Sequence, residues 1–233
     1  MKKTRIKARL ASRKPATRDP IRTREALLGA AFTEIHRSGF RGADVDTILR
    51  KAGVTKGALY HHFENKEALG YAVVDEAVAA IMRQKWQVPL ADVENPIDAL
   101  IGIIQGTPRG KHDIECGCPL NNIAQEMSPL DEGFRRRTAK LFQEWQSAIA
   151  KALWEGKVRG VVDKRVDPDE SSTFLIAAYE GYISLAKNSQ DAAGLKAGLG
   201  AMVRYLDTLR VRRMDRTQAR RTEMRQQSIF GSD

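Results

Sequence analysis

Apolar residues recur at three- and four-residue spacing along most of this chain, and each such stretch is bounded by a recognisable start or stop signal. The first stripe is Ala26, Leu27, Ala30, Ala31, Phe32 and Ile35. It predicts a helix from about Ile21 to Ser38-Gly39, where Gly39 supplies a left-handed stop and Phe40 folds back on the helix end. A short helix over Val45 to Ala52 follows, capped by Asp44 and facing inward at Ile48 and Leu49. Gly53 ends it, Val54 and Thr55 make a tight turn, and Thr55 caps a third helix over Lys56 to Phe63. Glu64-Asn65 breaks that helix, and a long one runs from Lys66 to about Trp86 with Leu69, Ala72, Val73, Ala77, Ala80 and Ile81 as its apolar positions.

The remainder reads the same way. Asn95-Pro96 starts a helix to about Gln105, with proline at the first helical position. Gly106 to Gly117 is polar and turn-rich, and Pro119 to Met127 is a short apolar helix. Ser128-Pro129, with Asp131 and Glu132 in the first turn, opens a helix that buries Phe134, Leu141, Trp145, Ala148, Ile149, Ala152 and Leu153. Gly156 to Val166 is a loop, Asp167-Pro168 starts a helix to about Ser189, and Asp191 or Ala192 opens the last one. β-Branched pairs such as Val161-Val162 are too short to argue a sheet. The expectation is an all-α chain of nine helices: a three-helix domain containing a helix-turn-helix, then a six-helix domain.

Charge adds the boundaries. The net charge is +10, but Met1 to Arg24 carries ten Lys/Arg against one acid, and Arg204 to Asp233 carries eight against four. The excess therefore sits in the two ends. The expected organisation is a basic arm at 1–20, a helix-turn-helix domain at 21–66, a larger helical domain at 67–213 and a basic tail at 214–233. No apolar run approaches the ~18 residues that span a bilayer, and the N-terminus lacks the apolar region of a secretory signal, so no membrane partner and a cytoplasmic location are expected. Two cysteines build no disulfide framework. Paired carboxylates with a partner, a Ser/His/Asp arrangement and a glycine-rich phosphate loop are all missing, which argues against an enzyme; no cofactor and no metal are expected.

The turn at Gly53-Thr55 makes the third helix the one that enters a major groove. Gly57 and Ala58 are small enough to let the helix start approach base edges. Thr55 and Lys56 stand where exposed amides and the helix dipole favour phosphate, Tyr60 and His61 add a hydroxyl and an imidazole one turn on, and Lys66 opens the next helix within reach of the same backbone. Arg22, at the foot of the first helix, joins this set, while His62 and Phe63 read as packing and His36 as a solvated or locally bonded side chain.

On these residues the stretch Thr23 to Leu69 resembles the DNA-binding domain of the TetR family of one-component bacterial regulators. The run from Ala52 to Phe63, with Gly39-Phe40, Val45, Ile48 and Lys66-Glu67, carries the resemblance. It implies a homodimeric, ligand-responsive regulator, in first reading a repressor, that grips a palindromic double-stranded operator and is released by a small-molecule effector. It places Thr55, Lys56, Gly57, Ala58, Tyr60, His61 and Lys66 along the DNA. Asp44 departs from the pattern, since the family has Thr or Ser there, and a carboxylate caps the helix but repels phosphate.

The segment Cys116-Gly117-Cys118-Pro119 is the second informative stretch. With His112 it offers only three metal ligands, and a Cys116–Cys118 disulfide would be strained. Cys118 reads either as a small buried hydrophobe or as a helix-start thiolate poised for electrophiles. Gly117 to Arg135 resembles a subset of the same family that answers α,β-unsaturated compounds such as acrylate, which keeps electrophile sensing through Cys116 or Cys118 as an alternative. A non-specific DNA-binding protein driven by its tails is a further rival. Trp86, Cys118, Met127, Phe142, Trp145 and Tyr179 are the candidate effector-cavity residues. Ala177, Gly181, Ser184, Gly194, Gly198, Ala201 and Met202, small or apolar at helical spacing on the last two helices, are the candidate dimer contacts.

If the arm holds phosphates, deleting residues 2–18 flattens the dependence of log K on log salt; a slope identical to that of the full chain removes the arm from the interface.

Overall fold

The computed structural model describes residues 19–211; the basic arm up to 18 and the tail from 212 lie outside the described residues. Every expected helix is present. They are α1 (Pro20–Gly42), α2 (Val45–Ala52), α3 (Lys56–His62), α4 (66–90), α5 (Pro96–Gln105), α6 (Lys111–Cys116), α7 (Pro119–Met127), α8 (Glu132–Val158), α9 (Pro168–Ser189) and α10 (Ala192–Thr208). The starts are set by side-chain caps: Asp44 accepts from the Thr47 amide, Thr55 from Ala58, Asn65 from Ala68, Asp131 from Phe134 and Asp191 from Ala193. Ser128-Pro129 does not open α8 as expected: the Ser128 and Leu130 amides bond back to α7, and Asp131 is the cap rather than a first-turn residue. Gly53 closes α2 with φ 64°, a left-handed residue that glycine adopts at no steric cost.

α6 falls inside a segment expected to be turns. Only Ile114 and Cys116 of Lys-His-Asp-Ile-Glu-Cys are buried, too few apolar positions to show a period. α8 runs three residues into the expected loop and ends at Val158. The segment behind it is tied to the chain's last described residues: the Asp163 amide donates to the Leu209 carbonyl at 2.9 Å and the Val211 amide to Val161 at 3.2 Å.

α4 differs most from its sequence reading. Its buried positions include Gly70, Val74, Val78, Met82, Trp86 and Leu90, each four residues after the last, whereas Ala80 is exposed and Ile81, 39% accessible, borders the cavity described below. In a regular α-helix a four-residue step drifts by about 40°, so five steps would carry Leu90 about 200° round from Gly70. Two wide turns, at Val73–Val78 and Arg83–Gln87, absorb the drift and keep the stripe on one side. Pro89, which lacks the N–H for a bond back to Lys85, stands just beyond the second.

The apolar core is continuous from the first three helices into the rest. Leu27, Ala31, Ile35, Ile48, Leu59 and Phe63 belong to the same buried cluster as Trp86, Trp145, Tyr179 and Leu199. At the junction the Phe40 and Phe134 rings meet at 4.6 Å and Tyr71 stands 4.8 Å from Phe134. Gly70 lies between them because a Cβ there would press on both Phe40 and Phe134 at 2.5–2.6 Å.

On the last two helices, Ala177, Gly181, Ser184 and Gly194 are exposed and Ala201 is half-buried. Gly198 and Met202 are buried within the subunit, and they do not join the exposed set. Gly198 is small for an internal reason: a Cβ there would overlap the Tyr182 ring of α9. The exposed face also carries Leu185, 65% accessible, and Phe174, whose ring is tilted against that of Tyr205 at 4.5 Å. Substituting Gly198→Val is therefore expected to lower stability by about 1–3 kcal/mol through overpacking between α9 and α10, as measured by urea unfolding. An unchanged midpoint would mean that the ring moves aside freely.

Candidate nucleic-acid interface and effector cavity

α3 is anchored from one side and open on the other. Leu59 is buried against the domain core, and Phe63, which donates its amide to the Leu59 carbonyl at 2.9 Å, is buried beside it. Lys56, Gly57, Tyr60 and His61 face solvent, with Tyr60 49% accessible. A Cβ on Gly57 would meet nothing nearer than the Thr55 hydroxyl at 4.0 Å, so the start of α3 is a bare strip of backbone. Thr55 spends its hydroxyl on the Ala58 amide at 3.3 Å, and Ala58 is half-buried. Lys66 is partly committed: it donates to the Arg41 carbonyl at 3.3 Å and lies over the Phe40 ring at 5.0 Å. Arg22 is exposed at the foot of α1, 3.9 Å from Asp19. Asp44 accepts from both the Thr47 amide at 2.9 Å and the Thr47 hydroxyl at 2.7 Å, bonds that hold its carboxyl below the usual range.

The three-helix unit is braced at its base. Glu34 is buried and ion-paired to Lys51 at 2.7 Å and Arg37 at 2.9 Å, which holds its carboxyl low and fastens α2 to α1. α1 itself breaks at Gly39, with φ 76° and ψ 165°. The break leaves the Phe40 and Arg41 amides without helical partners, and the Glu126 carboxylate, from the end of α7, accepts both at 2.7 and 2.8 Å. A Cβ at residue 39 would strike that carboxylate at 2.8 Å.

A cavity of about 830 Å³ lies among α1, α4, α5, α6, α7 and α9. Of the candidate effector-cavity residues, Trp86, Cys118 and Tyr179 line it. Met127, Phe142 and Trp145 are not among its lining side chains. Met127 is buried at the far end of α7, Trp145 is one layer behind the wall with its ring 4.6 Å from Trp86, and Phe142 borders a separate shallow groove with Asn121, Gln125 and Arg135. Periodicity identifies an inward face, and a large aromatic on that face is equally suited to core and to cavity wall.

The sequence reading missed the cavity's contacts with α1 and its polar groups. Phe32 and His36 of α1 form part of the wall. His36 is neither solvated nor locally bonded: its Nε2 lies 2.9 Å from the Gly117 carbonyl, and burial holds the imidazole below its usual range. A carbonyl only accepts, so Nε2 carries the proton. Lys85 donates to the Tyr179 hydroxyl, which lies 3.1 Å from the Thr107 hydroxyl; Thr107 donates in turn to the Ile103 carbonyl at 3.4 Å. Glu180, 7% accessible, faces the same space, and neither of its carboxylate oxygens has a hydrogen-bond partner among the described residues. Burial pushes its pKa up to about 7, opposed by the nearby Cys118 thiol and Lys85.

Cys118 is not a primed thiolate. Burial first, and then the Glu180 carboxylate, push its thiol far above the usual range, which outweighs the helix-start amides of α7. Burial raises Cys116 as well. Both cysteines are free, and no cluster of His, Cys, Asp and Glu among the described residues forms a metal site. No described helix is long and apolar enough to cross a membrane.

Comparison with known proteins agrees with this architecture. Residues 27–73 match the family model for bacterial regulatory proteins of the tetR family, and residues 89–202 match that for the tetracyclin repressor-like C-terminal domain. The chain is 30% identical over 152 residues to the HTH-type transcriptional repressor DhaR of Mycobacterium sp. strain GP1, covering 62% of this chain and 72% of that one. It is 26% identical over 188 residues to the transcriptional repressor NemR of Escherichia coli K12, covering 80% and 94%. Among solved structures, a TetR transcriptional regulator from Chloroflexus aurantiacus superposes with a TM-score of 0.74 at 28% identity, over 83% of this chain and 98% of that one.

Glu180 makes the cavity's electrostatics measurable. Free glutamate loses its proton near 4.5 and Glu180 near 7, so between these values the folded protein binds the extra proton. Its contribution to stability is full below about pH 4.5 and is lost as pH rises through 7, a change of about 3 kcal/mol. Glu180→Met removes that dependence. The difference in unfolding free energy between variant and wild type is expected to widen from pH 5 to pH 8; taking the difference cancels the opposite trend from His36. A constant difference would show that Glu180 ionises as an exposed carboxylate does.

Proposed function

The chain belongs to the TetR family of bacterial regulators, a family of ligand-responsive transcriptional repressors. On that premise we propose that it grips a palindromic operator as a homodimer and lets go when a small molecule occupies the cavity. The observation that carries this reading is the double duty of α1. One helix supports α2 and α3 and also contributes Phe32 and His36 to the cavity wall. A ligand in the cavity therefore touches the domain that would touch DNA.

In this reading α3 lies in the major groove. The bare backbone at Gly57, with Ala58 beside it, approaches base edges, Lys56, Tyr60 and His61 engage the groove and its phosphates, and Thr55 presents the helix start. Lys66 and Arg22 contribute at the margins, Lys66 with only part of its donor capacity free. The exposed residues Ala177, Gly181, Ser184 and Leu185, with Phe174, Tyr205 and Ala201, supply the apolar face through which two copies associate. Gly194, also exposed, sits at its edge, and Gly198 and Met202 support it from within. Association sets the two recognition helices about 34–36 Å apart, the spacing of successive major grooves. The effector acts only through its preference for one of two separations, and a regulator working on chromosomal DNA works in the cytoplasm. The electrophile-sensing alternative draws no support from the buried, protonated Cys118.

Lys56 provides the direct test. Its side chain is exposed and makes no ion pair among the described residues, so Lys56→Gln leaves the melting temperature unchanged. Operator affinity falls, and the salt dependence loses about one unit per subunit. The same slope in variant and wild type would take α3 off the DNA.

A further inference from the structure

The buried polar groups of the cavity form two sets of unequal standing. In the first, Thr107 gives its proton to the Ile103 carbonyl, so Tyr179 donates to Thr107 and Lys85 donates to Tyr179. That relay is closed except at its head, where the Lys85 ammonium has donors to spare. In the second, Glu180 has only the Cys118 thiol beside it, a weak donor. It is more than nine-tenths buried, lines the cavity, and neither of its oxygens accepts a hydrogen bond of ordinary geometry among the described residues. A buried acceptor left without a partner is costly, and native structures rarely keep one that nothing ever fills. Glu180 follows Tyr179 on α9, and Lys85 acts on Glu180 through space without a direct ion pair. An acceptor lacking a donor and a donor head with capacity left thus face one cavity whose other walls include Phe32, Trp86 and Ile103.

We infer that the effector of this protein is an uncharged amphiphile whose polar head carries a hydrogen-bond donor and an acceptor side by side, as in a primary amide or a hydroxy-carbonyl compound. The donor fills the vacant position on Glu180, the acceptor takes Lys85, and an apolar body lies against Phe32, Trp86 and Ile103. This rests on the cavity being the effector site. Charge balance selects against ions at either end. A cationic head that satisfied Glu180 would stand beside the Lys85 ammonium, and an anionic head on Lys85 would stand beside the Glu180 carboxylate. The volume of about 830 Å³ is within the range of cavities that enclose small organic ligands.

The test uses the full-length protein and four probes on one eight-carbon chain: octanamide, methyl octanoate, octylamine and octanoate. Binding is read by calorimetry, and operator release by fluorescence anisotropy. Octanamide is expected to bind at least tenfold tighter than methyl octanoate, which offers an acceptor and no donor, and tighter than either ion. Glu180→Met keeps the side-chain length and removes the acceptor; in it the amide-to-ester ratio falls to about one while the ester still binds. If octylamine or octanoate binds best, or if the ratio survives Glu180→Met, the head-group assignment is wrong although the cavity remains the effector site. If none of the four binds or releases operator, the cavity reading itself fails, and the assignment with it. Far-ultraviolet circular dichroism and the melting temperature of Glu180→Met establish that it is folded, so a lost preference is not lost structure.

Discussion

The arrangement of this molecule depends on one carboxylate closing one break. α1 cannot continue past Gly39, where the chain turns into a left-handed conformation, and the turn frees two backbone amides in a partly buried place. Glu126 accepts both. A charge-assisted pair of bonds of this kind is among the stronger polar contacts a protein makes, and it is directional. It fixes where Phe40 points, and Phe40 then meets Phe134 and covers Gly70. The joint between the two parts of the chain is thus specified by a polar contact and filled by aromatic ones.

Around that joint the contacts converge on a short stretch of chain. His36 bonds to the carbonyl of Gly117, Asn122 to that of Cys116, and Lys187 to Asn122, so α1, α7 and α9 meet within a few residues of Cys118. Elsewhere ion pairs tie the first and fourth helices together, Arg24 to Glu76 at 2.5 Å, and the fourth to the eighth, Arg137 to Asp75 at 2.8 Å. These surface pairs each contribute little to stability. Their geometric effect is larger, because they restrict how α4 tilts against its neighbours.

Most of the fold was legible because its boundaries are chemical. Asp44, Thr55, Asn95, Asp167 and Asp191 cap the helices they announce, Asn65 and Asp131 cap theirs from positions read as a break and a first turn, and Gly39 and Gly53 stop theirs. The solvent-facing side of α3 was legible for the same reason: Leu59 and Phe63 fix which way the helix turns, and the remaining positions follow. The cavity was only half legible. Trp86, Cys118 and Tyr179 line it, but nothing in the local pattern separates them from Trp145, one layer deeper. Glu180 and Lys85 read as ordinary charged residues on amphipathic helices, since burial of a charge is decided by elements distant in sequence. Cys118 shows the same limit from the other side. Its place before α7 argues for a lowered pKa, and burial by elements distant in sequence, joined by a carboxylate from α9, 62 positions along the chain, reverses the sign.

The four-residue repeat of α4 has a mechanical meaning. An ordinary helix presents a contact line that winds across its neighbours, so any rocking motion opens the contact at one end as it closes it at the other. Here the two wide turns straighten the line from Gly70 to Leu90. A straight seam offers a single line about which two packed helices can turn while keeping their contact. Swelling of the cavity beside Met82 and Trp86 would therefore reach the distant end of α4 as a swing in one plane, a pivot rather than a twist.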